Sequence, residues 1–250
     1  MRKTLAATVL AGSLGLAGCV TMDVNSAVGV GATAMKAMSL TDDEVVAMSN
    51  QSCEEMDAQN KVAPAKNKYT TRLNKVVAKM PKEIDGKKAV YKVYLTSDVN
   101  AWAMANGCIR VYSGLMDLMN DDELRGVLGH EIGHVALGHS KKRMQTAYAA
   151  TAARQLAAQS SNATVAALTR SQAGDLAEKF LNAQFSQSQE LDADGYSFDL
   201  LTSLKLERKG LVTGFQKLSK ISGGDGSLLS SHPGSDERAK RMQERLSAKK

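Results

Sequence analysis

The chain has 250 residues, 43% hydrophobic and 4% aromatic, with 32 Lys and Arg against 26 Asp and Glu for a formal charge of +6. That length suits one domain with a substantial core. The positive excess is mild and gives no argument for a nucleic-acid partner.

Arg2 and Lys3 precede an apolar segment, Leu5 to Leu14, of about ten residues. It is too short to span a bilayer and has the length of a signal-peptide core. The segment runs into Leu16-Ala17-Gly18-Cys19, which resembles the lipobox of bacterial lipoproteins. On that resemblance residues 1–18 are a cleaved leader, and Cys19 becomes the acylated first residue of a chain whose charge falls to +4. An ordinary secretory signal without acylation is the alternative. Acyl chains contribute roughly 0.8 kcal/mol per buried CH₂, enough for several to anchor a protein without a membrane span. Val20 stands where inner-membrane lipoproteins carry aspartate, which by the enterobacterial sorting pattern implies the outer membrane, facing the periplasm. With Cys19 assigned to lipid, Cys53 and Cys108 are left in an oxidising compartment, where a disulfide is the default and two buried thiols the alternative.

Residues 19–40 are small and glycine-rich and read as a lipidated tether, with the folded domain over 41–250. Thr41-Asp42-Asp43-Glu44 matches a capping box, and Val45, Val46, Met48 and Met56 continue an apolar stripe. A second helix is predicted from Lys66 to Met80, ended by Pro81. Tyr91 to Leu95 alternates as a half-buried strand, and Val99 to Met104 and Ile109 to Tyr112 follow as two more. Asp121 or Asp122 is the expected cap of the next helix. Lys141 to Arg170 is alanine-rich and helical in propensity, but too polar to cross a bilayer. One further helix is predicted over Asp175 to Leu204, then a loop over Ser222 to Ser227, then a last helix from Ser235. The basic C-terminus, with Arg238, Lys240, Arg241, Arg245, Lys249 and Lys250, reads as a solvated helix face, with weak contact to anionic lipid the alternative.

The residues richest in chemistry are His130-Glu131-Ile132-Gly133-His134. Residues four apart share one helix face, so both imidazoles can reach a single metal ion, with the Glu131 carboxylate beside it. A catalytic zinc takes three protein ligands and keeps a position for water or substrate, so a third ligand is required. The pattern with glycine three and histidine six residues after His134 is ruled out by Leu137 and Ser140. His139, about 140° further around a continuous helix, is expected to point away from the metal. Glu190 and Asp194, again four apart, form the better candidate pair, although on spacing alone such acidic pairs usually face solvent.

The strand Asn100-Ala101-Trp102-Ala103, Gly114-Leu115, the His-Glu-x-x-His helix, Ser186 with Glu190-x-x-Ala193-Asp194, and His232-Pro233 with Arg238 occur in one order along the chain. Together they resemble the gluzincin metallopeptidases of the HtpX and CAAX-prenyl-protease family, over nearly the whole mature length. The resemblance implies an α+β fold, a mainly helical zincin-like metallopeptidase domain with a small mixed β-sheet. It also implies one Zn²⁺ held by His130, His134 and Glu190, Glu131 as general base, and Asp194 as an orienting or proton-donating residue. His232 resembles a histidine that approaches the zinc as a fourth ligand or gate; a loop histidine beside a helix-starting proline is the plain alternative. Asn100 to Ala103 resembles the edge strand that pairs with extended substrate, against a core strand with Trp102 simply buried. Gln187 departs from the arginine that many relatives carry after the serine.

The implied reaction is hydrolysis of peptide bonds in unfolded or misassembled envelope proteins. Its rival is a non-catalytic periplasmic lipoprotein that chaperones or assembles outer-membrane proteins. An intact Glu131 argues for the enzyme, because binding a metal does not by itself require that carboxylate.

Overall fold

Strict alternation along two short strands divides the interior into two cores. In the computed structural model, which describes residues 35–157, 169–221, 228–232 and 234–248, β3 (Val90–Tyr94), β4 (Ala101–Ala103) and β5 (Cys108–Tyr112) form one sheet in the order β3-β5-β4. The β3–β5 pair is parallel and the β4–β5 pair antiparallel, so the sheet is mixed, as expected. Val93, Ala101, Ala103, Ile109 and Val111 face one core, while Tyr94, Trp102, Cys108 and Tyr112 face the other. Ahead of the sheet, β1 (Glu83–Ile84) and β2 (Lys87–Lys88) make a hairpin across Asp85-Gly86, both at positive φ. It is not among the expected elements, although Asp-Gly is the signature of such a turn.

The second core is closed by α1 (Asp42–Gln59), α5 (His139–Ala157) and α6 (Arg170–Asn182). Thr41 caps α1 in the expected box with Glu44. Ala37 and Leu40 are already buried in this core, so packed structure begins ahead of the boundary at residue 41. Cys53 of α1 is disulfide-bonded to Cys108 of β5, their Cα atoms 6.6 Å apart. Arg110, the inward residue between Cys108 and Tyr112, is 2% exposed and is neutralised by Asp57 of α1. The leader, Cys19, most of the tether, residues 158–168 and the loop at 222–227 lie outside the described residues. No helix among those described is long and apolar enough to cross a membrane.

The first core holds α2 (Lys68–Val77), α3 (Ser113–Leu118), α4 (Asp121–Ala136), α7 (Gln187–Ser203), α8 (Lys209–Leu218), the short α9 (Leu228–Ser231) and α10 (Ser235–Ala248). α4 lies under the sheet, where only alanines, Ala101 and Ala103, project from β4 towards Leu124, Leu128 and Ile132. Two expected helices are cut differently. Gly138, at φ 72°, ends α4 and lets the chain restart as α5 at His139. The single helix predicted over Asp175 to Leu204 is α6 and α7, separated because Ser186 opens a new helix with a capping box to Gln189 while Ala183 is extended.

Candidate metal centre

The site is built where α4 and α7 touch. Asn120, not Asp121 or Asp122, caps α4: its side chain accepts from the backbone N–H groups of Asp122 and Glu123, and Glu123 accepts from Asn120 N–H. From there the helix is buried through Val135, with His130 and Glu131 each 2% exposed and His134 fully buried. Glycine makes the close approach possible. A Cβ at Gly129 would lie 2.4 Å from Ser197 Oγ, and one at Gly133 3.0 Å from the carbonyl oxygen of Ala193. α7 therefore lies directly against α4, with Glu190 in its first turn and Asp194 one turn later.

Four donor atoms converge there. His130 Nε2 is 3.0 Å from His134 Nε2 and 3.1 Å from His232 Nδ1. Glu190 Oε1 is 2.9 Å from His232 Nδ1 and 3.3 Å from His134 Nε2. The ligand atoms of His130, His134, Glu190 and His232 all lie within 4.8 Å of one another. Bonds of 2.0–2.1 Å to a tetrahedral zinc place ligand atoms about 3.3 Å apart, so the spacing and the nitrogen-rich donor set both fit that ion. Glu131 sits beside the cluster, its Oε1 3.5 Å from His232 Nε2 and without a hydrogen-bond partner among the described residues.

A second layer holds the first. Asp194 accepts from His130 Nδ1 at 2.8 Å, which turns His130 Nε2 towards the cluster. Arg238, 3% exposed and stacked 4.2 Å from the ring of Phe215, donates to both Asp194 oxygens at 2.7 and 2.8 Å. Its third nitrogen reaches Glu190 Oε2 at 2.7 Å. The expectation of a solvated C-terminal helix face therefore fails at Arg238, which is the counter-charge of the site. Burial disfavours charge on Glu190, but His232 and His130 beside it overcome this and hold its carboxyl well below the usual range. For Asp194 burial is likewise outweighed, chiefly by Arg238. Burial, reinforced by His130, pushes the His134 imidazole well below its ordinary value, so it is neutral and can offer a lone pair.

Asn100 to Ala103 leads into and forms β4, at the outer edge of the sheet, and the strand is fully buried, Trp102 included. Some of its outward polar groups are occupied. Asn100 Oδ1 accepts from Ala101 N–H at 2.8 Å, and Ser140 donates to the Ala103 carbonyl at 2.9 Å. His139 differs from expectation: because Gly138 breaks the helix, its ring returns to lie 3.1 Å from that of His134, Nδ1 to Nδ1. Phe185 and Arg143, also close to the site, were absent from the sequence reading. The glycine three residues after Val135 was the one local signal that the helix would not continue to His139.

Two helical imidazoles and a distant carboxylate around one point, with a second buried carboxylate alongside, define a metallopeptidase site. The model of peptidase family M48 matches residues 65–246, and the chain belongs to that family. It is 49% identical over 234 residues to metalloprotease LoiP of Escherichia coli (strain K12), covering 93% of this chain and 92% of that protein. Metalloprotease YcaL of the same organism is 49% identical over 230 residues, covering 92% and 90%. Mitochondrial metalloendopeptidase OMA1 of Arabidopsis thaliana is 32% identical over 149 residues, 57% of this chain and 28% of that protein. The chain is a metalloprotease.

Proposed function

We propose that this metalloprotease is a zinc-dependent endopeptidase, anchored through lipid on Cys19 to the periplasmic side of the outer membrane, that hydrolyses unfolded or misassembled envelope polypeptides. The observation that carries the catalytic part is the convergence of His130, His134 and Glu190 with the unpartnered Glu131 oxygen beside them. His130, His134 and Glu190 would hold the zinc, which would supply Lewis acidity towards a scissile carbonyl and acidify water. Glu131, buried and free at Oε1, accepts the proton of the attacking water as the new C–O bond forms, then delivers it to the departing amine as the C–N bond breaks. Asp194 orients His130, and Arg238 keeps Asp194 ionised while its third nitrogen pairs with Glu190. His232, whose Nδ1 lies 2.9 Å from Glu190 Oε1, would be a fourth donor to the ion or a gate beside it.

The β4 edge supports an extended substrate, since backbone pairing gives affinity with little demand on sequence. Location rests on the leader, the residues before Cys19 and Val20 after it. The test is digestion of casein by the purified protein, with and without a zinc chelator, alongside Glu131→Gln. Zinc-restorable cleavage by the parent, and a loss of about 10²–10⁴-fold in the variant with zinc still bound, are expected. Equal cleavage by parent and variant refutes the role of Glu131.

A further inference from the structure

Two side chains outside the ligand set converge on a single imidazole, and a third steadies one of them. His134 turns Nε2 to the cluster, 3.0 Å from His130 Nε2, which leaves its Nδ1 facing the opposite way. That nitrogen meets Nδ1 of His139 at 3.1 Å. One face of the His134 ring lies flat on Phe185, with centroids 3.7 Å apart and planes 15° apart. Phe185 is itself held: Arg143 stacks 4.3 Å from its centroid while donating to the carbonyls of Leu181 and Ala183 at the end of α6.

A neutral imidazole has one N–H and one lone pair, so two such nitrogens at this distance require one to donate and the other to accept. If His134 Nδ1 were the acceptor, its hydrogen would sit on Nε2 and point into the cluster, where no ligand bond could form. We infer that His139 is a positioning residue for the metal ligand: its Nδ1 accepts from His134 Nδ1–H and selects the tautomer whose Nε2 lone pair faces the cluster. Phe185, steadied by Arg143, fixes the plane of the same ring. The two ligand histidines are thus oriented by different chemistry. His130 donates to a carboxylate, which raises its basicity as a ligand; His134 donates to another ring, which sets direction without adding charge.

This inference rests on the metal reading above, and its test keeps the two apart. Zinc affinity is measured by competition with a chromogenic chelator for the parent, His139→Leu, His139→Gln and Phe185→Leu, together with the melting temperature of each metal-free protein. His139 is only half-buried at the start of α5, so its variants are expected to fold with melting temperatures close to the parent. His139→Leu should weaken zinc about 10–100-fold, the range for partners of ligand histidines. His139→Gln, which returns an acceptor oxygen, should recover most of that loss, and Phe185→Leu should show a smaller one. Parent-like affinity in His139→Leu, or a glutamine variant as weak as the leucine one, overturns the inference while leaving the metal reading intact. A parent that binds no zinc overturns both.

Discussion

Adding one methyl group at Gly133 separates the stability of the fold from the geometry of its site. A Cβ there would meet the Ala193 carbonyl oxygen at 3.0 Å, Ala193 Cα at 3.2 Å and Tyr196 Cβ at 3.2 Å. Carbon contacts settle at about 3.5–4.0 Å, so α4 and α7 must part by a few tenths of an ångström between His134 on one and Glu190 and Asp194 on the other. Alanine gains about 1 kcal/mol of helix propensity over glycine. Overpacking costs about 1–3 kcal/mol, so the fold should lose between about nothing and 2 kcal/mol. The site has less room, because its donors already lie 3.3–3.5 Å apart across that interface. Gly133→Ala should therefore bind zinc at least about tenfold more weakly, a loss of about 1.4 kcal/mol in binding. Gly126→Ala is the control: its Cβ meets Leu211 of α8, a helix that carries no ligand. Chelator competition and thermal melts of the metal-free proteins measure the two effects. Undiminished zinc affinity in Gly133→Ala, or equal losses in both variants, would show that helix spacing does not set the site.

Asp57 accepts from Arg110, Lys92 and Tyr94, and these bonds outweigh its burial to hold its carboxyl below the ordinary value. A carboxyl lowered on folding adds stability above its unfolded pKa, near 4, and loses it as pH falls through the lower folded value. Asp57→Asn should then cost about 3 kcal/mol at pH 7 by leaving Arg110 buried and uncompensated, with the gap closing below about pH 4 in denaturant titrations. Saturating the parent with zinc at a hundred times its dissociation constant should add about 2.7 kcal/mol of stability, read as a rise in melting temperature that the chelator reverses. Cys19→Ser should move the protein from the outer-membrane fraction to the soluble periplasm; retention at the membrane would remove the lipid anchor from the proposal.

What could be read in advance follows from how local each signal is. His130, Glu131 and His134 lie within two turns of one helix, so their spacing alone forecast a shared face. Glu190 and Asp194 were a weak pair on spacing and became a candidate ligand and its support only through resemblance, because the packing of α7 on α4 depends on glycines whose partners, Ala193 and Ser197, are distant in the chain. The helix carrying His134 was expected to reach His139 and the break at Ser186 was missed, because Gly138 and the Ser186 box are brief punctuation inside strongly helical composition. The edge position of β4 was legible only through resemblance, since it requires β5 to insert between β3 and β4. Arg238 was misjudged because a basic C-terminal helix normally faces water, and only tertiary contact shows which of its cations turns inward.

The bond between Cys53 and Cys108 ties the first helix to the middle strand of the sheet, across a sequence separation of 55 residues. Its covalent ring encloses the hairpin, both flanking strands and α2. In a loop-entropy picture such a closure restricts the unfolded chain by about 4 kcal/mol. The native partner of Cys53 comes within reach once Cys108 has taken its central place, so oxidation of these two thiols is a chemical record of lobe assembly. Quenching with an alkylating reagent would count, molecule by molecule, how many newly made chains have finished building the wall above the metal ligands.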